Sequence, residues 1–245
     1  MKATRERPRL LCLHGACSNS EITKMQIIGL NLRDKFDITY MNAPHVVSHP
    51  SPGLENFADG PYYAWSDPAR SLEIREDQWN ESMEYVVRRL RDDAPYDGVY
   101  GFSQGAAMIT NLSHPKIVDV WKGGGSNRYS SGDGGKLPWQ FAILACGAGC
   151  HNITVSRFGD DCRIDVPSFH IFGKNDRYAN DSRTIYDYWS ADDRAMHVHG
   201  RGHEIDAMMH TREHIMMGKL RTFLDEQRSR RRRAEGGGGF ASGIR

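Results

Sequence analysis

One serine of the sequence is flanked by glycines in a pattern typical of a covalent nucleophile. Residues Gly101 to Gly105 read GFSQG, which matches G-x-S-x-G. In this pattern the serine occupies a tight turn between a strand and a helix, where side chains two positions away on either side would collide with these elements. Strand-like residues 97–102 precede the serine and small residues 106–108 follow it. The pattern predicts that Ser103 is a nucleophile, although a solvent-facing serine in a glycine-flanked turn has the same local sequence.

A serine nucleophile works with a histidine base and a carboxylate, and both residue types follow Ser103 in the required order. Asp176 lies in the polar turn after strand-like residues 168–172, and His203 lies in a glycine-containing loop after strand-like residues 195–198. Catalytic groups of open parallel sheets gather at the edge where such turns lie. A lone aspartate in a turn is more often a capping residue. The order and placement nevertheless predict a triad that attacks an ester or thioester carbonyl and forms an acyl-Ser103 intermediate.

The oxygen of the attacked carbonyl becomes negatively charged, and backbone N–H groups stabilise it. One such donor is the residue after the nucleophile, Gln104, and the second comes from the loop after the first strand. Residues 14–17 of that loop read HGAC. We expect the N–H of Ala16 to donate, with Cys17 as the alternative, although an ordinary strand-to-helix turn has the same sequence.

An aromatic cluster predicts the wall of an acyl pocket. It lies within residues 42–67, a proline-containing segment without the pattern of a helix or strand, and long segments of this kind often have a binding role. Large apolar side chains commonly line ligand pockets. The alternative is that these rings anchor the segment to the core. The four side chains are Phe57, Tyr62, Tyr63 and Trp65.

Short apolar segments alternate with helical patterns along the chain. This alternation predicts an α/β fold with a mainly parallel sheet and helices on both faces. Residues 111–140, which are rich in glycine and serine, are expected to form a mobile surface excursion. The predicted strands are 10–13, 36–41, 97–102, 141–146, 168–172 and 195–198, and the predicted helices are 73–91, 181–189 and 204–225.

The C-terminal end differs in composition from the rest of the chain. Residues 228–245 read RSRRRRAEGGGGFASGIR, with six arginines and one glutamate. Four consecutive glycines do not sustain a helix. We therefore expect a single domain over residues 1–227, followed by a basic, glycine-rich disordered tail over residues 228–245.

Net charge and cysteine content exclude several functional classes. The chain has 32 basic and 31 acidic residues, a formal net charge of +1, so a nucleic-acid-binding protein is not expected. The five cysteines form no CxxC pair, which argues against a disulfide framework and a structural zinc site.

No apolar segment has the length of a signal-peptide core or a membrane span, which predicts a cytoplasmic protein without membrane contact. The histidine motifs at 197–203 and 210–214 are weak, so neither a metal nor a cofactor is expected.

Six segments together are similar to the FSH family of serine hydrolases, a group of α/β-hydrolases. They are LLCLHG, GPYYAW, YGFSQGAA, FAILACG, IDVPSFHIFGKND and GRGHEID. The similarity extends over about residues 8–225. The resemblance implies an α/β-hydrolase fold in which Ser103, Asp176 and His203 form the triad and no cofactor takes part.

The family resembled here includes fungal trans-acting thioesterases of polyketide gene clusters. It therefore implies a thioesterase that releases a polyketide or fatty acyl chain from an acyl carrier protein, by hydrolysis or lactonisation. Two alternatives stay open: a carboxylesterase acting on small free esters, and a non-catalytic binding protein on a hydrolase scaffold. Ala16 and Cys17 stand where the family often has a large apolar residue. This departure predicts a wider acyl pocket.

Overall fold

A six-stranded parallel sheet forms the centre of the molecule, as expected for an α/β fold. The computed structural model describes residues 7–93, 95–115, 137–149, 163–205 and 213–236. The strands are β1 (Arg9–Leu13), β2 (Asp37–Met41), β3 (His45–Val47), β4 (Tyr62–Ala64), β5 (Gly98–Phe102), β6 (Phe141–Ala145), β7 (Ser168–Gly173) and β8 (Arg194–His199). The sheet has the order β2-β1-β5-β6-β7-β8, and all its neighbouring strands are parallel.

Helices cover both faces of the sheet because side chains of successive strand residues point to opposite sides. Leu11 of β1 packs into one buried cluster with side chains of α2 and α3. Leu10, its neighbour, packs into a second cluster with side chains of α1 and α5. Among the described residues, no helix is both long and apolar enough to span a bilayer. The helices are α1 (Ser20–Gly29), α2 (Leu72–Asp93), α3 (Gln104–Ser113), α4 (Ala179–Asp187) and α5 (Glu213–Gly236).

The parallel arrangement brings the turns after β5, β7 and β8 to one edge of the sheet. Gly173 at the end of β7 is in register with His199 at the end of β8. Phe102 at the end of β5 is in register with Ala145 of β6. The residues that follow these strand ends are those selected as chemically active from the sequence.

The segment 42–67 has more regular structure than its sequence indicates. Strands β3 and β4 form an antiparallel hairpin inside it. A bridge between Ser18 and Tyr63 ties this hairpin to the loop after β1. Of the other irregular segment, 111–140, residues 116–136 lie outside the described residues.

The C-terminal helix differs from the prediction at both ends. Glu204 lies in a loop, and α5 begins at Glu213 and continues to Gly236. The tail expected from residue 228 is therefore wrong for 228–236, because arginine is a good helix former and two of the arginines pair with the body. Arg230 Nη1 is 3.0 Å from Asp193 Oδ2, and Arg231 Nη1 is 2.7 Å from Asp97 Oδ1. Residues 237–245 lie outside the described residues.

Candidate active site

Ser103 occupies the tight turn that its two glycines predict. It lies between β5 and α3 with φ 53° and ψ −119°, a conformation unusual for a residue with a side chain. A Cβ atom at Gly101 would come within 2.7 Å of the backbone of Gly105, and one at Gly105 within 2.5 Å of the carbonyl oxygen of Leu13. No side chain fits at either position, so the glycines allow the turn to form against β1.

The three residues predicted as a triad form a continuous row of hydrogen bonds. The Ser103 Oγ atom lies 2.9 Å from His203 Nε2, and His203 Nδ1 lies 2.8 Å from Asp176 Oδ2. In the chain these pairs are 100 and 27 residues apart. With the ring proton on Nδ1, the histidine donates to the carboxylate and accepts from the serine hydroxyl. This is the arrangement in which histidine removes the serine proton.

Asp176 is held as a carboxylate although its side chain is fully buried. Burial opposes the charge, but hydrogen bonds from His203 and from the backbone N–H of Tyr178 keep the pKa of Asp176 below its ordinary value. The Tyr178 N–H is 2.8 Å from Oδ1, the oxygen that does not face the histidine. Both oxygens are therefore bonded, and the ionised carboxylate can fix the histidine ring and stabilise its protonated form.

The loops that carry Asp176 and His203 are tied directly to each other. A Cβ atom at Gly173 would lie 2.2 Å from the carbonyl oxygen of Arg201, so the absence of a side chain allows the loops to touch. The N–H of Asn175 donates to that same oxygen at 3.0 Å, and its side chain donates to Gly200 at 2.8 Å. These backbone contacts fix the separation between the carboxylate and the histidine.

Two aromatic rings that sequence reasoning missed enclose the histidine. The ring centroids of Phe102 and Tyr178 lie 5.1 and 4.9 Å from that of His203. Phe102 precedes Ser103 and Tyr178 lies two residues after Asp176, and this closeness in sequence was the available signal. Both rings pack against the imidazole.

The proposed oxyanion donors lie beside Ser103, and hydrogen bonds of the Gln104 side chain hold the first of them in place. Gln104 is the first residue of α3, so its N–H has no acceptor within the helix. Its side-chain amide binds the backbone of Trp65 and Ser66, with Nε2 donating to Ser66 at 2.7 Å. Ala16 and Cys17 both line the cavity next to Ser103. The choice between their N–H groups stays a prediction.

His14 orients the loop that carries Ala16. Its Nδ1 lies 2.6 Å from the carbonyl oxygen of Gly15, and its Nε2 accepts the N–H of Ala43 at 2.9 Å. Burial lowers the pKa of His14 to about 4. The ring is therefore neutral at physiological pH, and its two hydrogen bonds connect the loop after β1 to the chain after β2.

Comparison with known proteins agrees with this geometry. A family model described as serine hydrolase (FSH1) matches residues 1–215. The chain belongs to the FSH1 serine hydrolase family. It is 30% identical over 189 residues to Esterase FUS5 of Gibberella moniliformis, and the aligned region covers 74% of this chain and 72% of the relative. It is 29% identical over 219 residues to Esterase FPY3 of Fusarium mangiferae, which covers 80% of this chain and 88% of the relative.

A solved structure confirms the fold of this FSH1-family hydrolase. The crystal structure of esterase PE8 superposes with a TM-score of 0.57 at 20% identity, covering 90% of this chain and 92% of the other. The α/β-hydrolase fold and the serine hydrolase class predicted from the sequence are both confirmed. The roles of the individual triad residues rest on the hydrogen-bonded geometry described above.

A cavity of about 670 Å³ opens from Ser103 and His203 in this FSH1-family hydrolase. One side is formed by the loop after β1, and the second side by the segment that connects β3 to β4. Much of the second side is apolar, and its residues include Pro50, Pro52, Leu54 and Phe57. The cavity is large enough for an acyl chain well beyond acetyl.

Of the four aromatic side chains predicted to line the pocket, only Phe57 does so. Trp65 is completely buried, and its indole N–H donates to the carbonyl of His14 at 2.8 Å. The hydroxyl of Tyr62 donates to Ala58 at 2.6 Å, and Tyr63 packs against the buried cluster that contains Trp65. The pocket role is therefore wrong for these three side chains, because Trp65 lies in the core and the pairing of the hairpin holds the two half-buried tyrosines outside the cavity.

Proposed function

We propose that this hydrolase releases a polyketide or fatty acyl chain from a thioester on an acyl carrier protein, through an acyl-Ser103 intermediate. One observation carries the proposal. The hydrogen-bonded row Ser103–His203–Asp176 ends at a cavity of about 670 Å³ whose lining is mostly apolar. Such a site combines a nucleophile for acyl transfer with space to desolvate a long chain.

The proposed mechanism follows the geometry of the triad. His203 takes the Ser103 proton as the hydroxyl oxygen attacks the carbonyl carbon, and Asp176 stabilises the imidazolium that forms. The N–H groups of Gln104 and Ala16 stabilise the oxyanion, a contribution of about 3 kcal/mol per donor. His203 then gives its proton to the leaving thiol or alcohol. Water, or a hydroxyl group of the acyl chain, attacks the acyl-enzyme with the same proton transfers in reverse.

Apolar side chains on the cavity wall support a long acyl chain over a small one. Ile22 and Met25 of α1 line the cavity together with Leu54 and Phe57. Each buried methylene contributes about 0.8 kcal/mol, so a chain that fills this wall gains several kcal/mol that acetyl does not. Binding far from the carbonyl also positions it for attack.

The carrier-protein substrate is supported by the similarity of the sequence to fungal polyketide-releasing thioesterases. The second candidate is a carboxylesterase that acts on small free esters, which the names of the fungal relatives favour since both are esterases. We also propose a cytoplasmic location. The described cysteines Cys12, Cys17 and Cys146 are free thiols, as in a reducing compartment.

Matched substrates distinguish the two candidates. The same acyl chain is presented as a thioester on a carrier protein and as a free ester, and kcat/KM is measured for both with the wild type and with Ser103→Ala. The proposal predicts faster turnover of the carrier-bound thioester and loss of both activities in the variant. Faster turnover of the free ester would favour the carboxylesterase. Activity on neither substrate, with no labelling by a fluorophosphonate, would support a binding protein on a hydrolase scaffold.

A further inference from the structure

A second group of metal-ligating side chains lies at the acyl cavity, apart from the triad. Cys17, His49 and Asp67 each place one ligand atom within 4.8 Å of the other two. Cys17 and His49 both line the cavity. These three residues come from separate segments, the loop after β1, the segment between β3 and β4, and the turn before α2.

The distance between the Cys17 and His49 ligand atoms is close to that in a tetrahedral metal site. Bonds of about 2.3 Å to sulfur and about 2.0 Å to nitrogen at a tetrahedral angle put the two atoms about 3.5 Å apart. Cys17 Sγ and His49 Nε2 are 3.9 Å apart. His49 is exposed, so a small movement of its ring closes the difference. A thiolate, an imidazole and a carboxylate together are a donor set that selects zinc-class cations.

Two of the three ligands are already held in place. The carbonyl oxygen of Cys17 accepts the N–H of Ser51 at 2.8 Å, which fixes the loop. The carboxylate of Asp67 accepts the N–H of Ala69 at 2.9 Å, and Arg70 Nε lies 3.2 Å from its other oxygen. The Asp67 side chain is 9% exposed while that of Arg70 is 61% exposed. A buried carboxylate compensated mainly by an exposed guanidinium favours a cation beside it.

We propose that Cys17, His49 and Asp67 bind a divalent cation of the zinc class, and that the bound ion inhibits the hydrolase by occupying the cavity that Ser103 also lines. Binding replaces the thiol proton of Cys17 by the metal and releases that proton to solvent. The fourth position of the ion stays open to water. This site departs from the sequence-based expectation that the protein binds no metal, because the three ligands are 32 and 18 residues apart and form no recognisable motif.

A second group of potential metal-ligating atoms has to be distinguished from the Cys17 group. Cys146, Asp176 and His203 also lie within 4.8 Å of one another. Two of its members belong to the triad, which uses both ring nitrogens of His203 and one oxygen of Asp176, and the Cys146 thiol donates to the carbonyl of Glu204 at 3.2 Å. A metal there would have to break the triad, whereas the Cys17 group is independent of it.

Cobalt titration tests the proposal with a readout that needs no catalysis. The full-length protein is titrated with Co²⁺, and the near-ultraviolet thiolate-to-cobalt absorbance is recorded for the wild type, Cys17→Ser, His49→Ala and Cys146→Ser. The proposal predicts one equivalent of binding in the wild type and in Cys146→Ser, and no thiolate band in Cys17→Ser. Loss of a partner of a metal ligand costs about 10–100-fold in affinity, and His49→Ala, which removes a ligand itself, should cost at least as much.

Circular dichroism controls for folding, and His49→Ala keeps the test meaningful if Cys17→Ser unfolds, because the histidine is exposed. A band that persists in Cys17→Ser, or one that disappears in Cys146→Ser, would overturn the site. For the inhibitory role, Zn²⁺ should reduce hydrolysis of a short ester in the wild type, and His49→Ala should need at least about 10-fold more Zn²⁺. Equal Zn²⁺ sensitivity in the two proteins, or none in the wild type, would overturn that role.

Discussion

The triad and the apolar cavity wall are neighbours, but they are constructed differently. Ser103 and His203 are fixed by backbone contacts at positions where only glycine fits, namely Gly101, Gly105 and Gly173. In the cavity wall, Phe57 is 59% exposed, and the short helical turn that precedes it, Leu54–Asn56, has no buried residue. We therefore expect the reacting groups to be rigid, and the wall to contribute substrate contacts but little stability.

Substitutions in the triad should have the largest effect. His203→Ala and Asp176→Asn should each lower kcat for a short acyl ester by about 10⁴-fold or more, because the base or its orienting charge is lost. Steady-state kinetics measure this, with thermal unfolding to show that the variants are folded. An active His203→Ala variant together with an inactive His199→Ala variant would move the base to His199.

The buried tryptophan and the exposed phenylalanine should respond in opposite ways. Trp65→Ala removes a completely buried ring and its hydrogen bond, so the free energy of unfolding should fall by about 3–5 kcal/mol. Phe57→Ala should leave that free energy nearly unchanged. Urea unfolding of the two variants makes the comparison, and equal losses in both would show that the wall is as structural as the core.

Acid should lower the free energy of unfolding through His14, which lies in the loop after β1. Burial lowers the pKa of His14 to about 4, whereas an unfolded histidine titrates near 6.5. Because the folded pKa is the lower one, the stability linked to His14 is complete above pH 6.5 and is lost as the pH falls toward 4. Between pH 7 and pH 5 the loss is about 2 kcal/mol. Urea unfolding at pH 7 and pH 5 should show a smaller pH effect in His14→Gln than in the wild type, and an identical effect would contradict the assignment.

The cavity wall should affect substrate choice more than stability. Phe57→Ala removes about 60 Å² of apolar contact at about 25 cal/mol/Å², so kcat/KM for long acyl esters should fall about tenfold. Acetyl esters do not reach this ring and should change little. A series of C2 to C12 esters measures the effect, with Tyr62→Ala as a matched aromatic control outside the cavity. Equal loss at every chain length would remove Phe57 from the substrate wall.

The sequence was sufficient to predict the fold and the three hydrogen-bonded residues, but of the apolar cavity wall it predicted only Phe57. The tight turn at Ser103 and the loops that carry Asp176 and His203 depend on glycine positions and strand ends. Both features can be recognised in the sequence. Trp65 was misplaced because an aromatic side chain serves a core and a pocket equally well, and only the hairpin pairing decides between them. Pro50 and Leu54 gave no periodic pattern, and the continuation of α5 beyond residue 227 depends on long-range pairs with Asp97 and Asp193.

The ion pairs of Arg230 with Asp193 and of Arg231 with Asp97 should have the smallest effect on stability. Arg231 and Asp97 are 28% and 16% exposed, so Arg231→Ala should lower the free energy of unfolding by about 1 kcal/mol or less. Kinetics on short and long esters should not change, since the pair lies at the opposite edge of the sheet from Ser103. A change in chain-length preference would show that α5 is coupled to the cavity.

Covalent labelling tests whether Ser103 is the nucleophile that His203 activates. The wild type is treated with a fluorophosphonate, and intact mass spectrometry with peptide mapping locates the adduct. The account predicts one adduct on Ser103, none in Ser103→Ala, and labelling slowed by orders of magnitude in His203→Ala, since the ring that removes the proton lies 2.9 Å from the hydroxyl oxygen. An adduct on another residue, or labelling at the wild-type rate in His203→Ala, would contradict it.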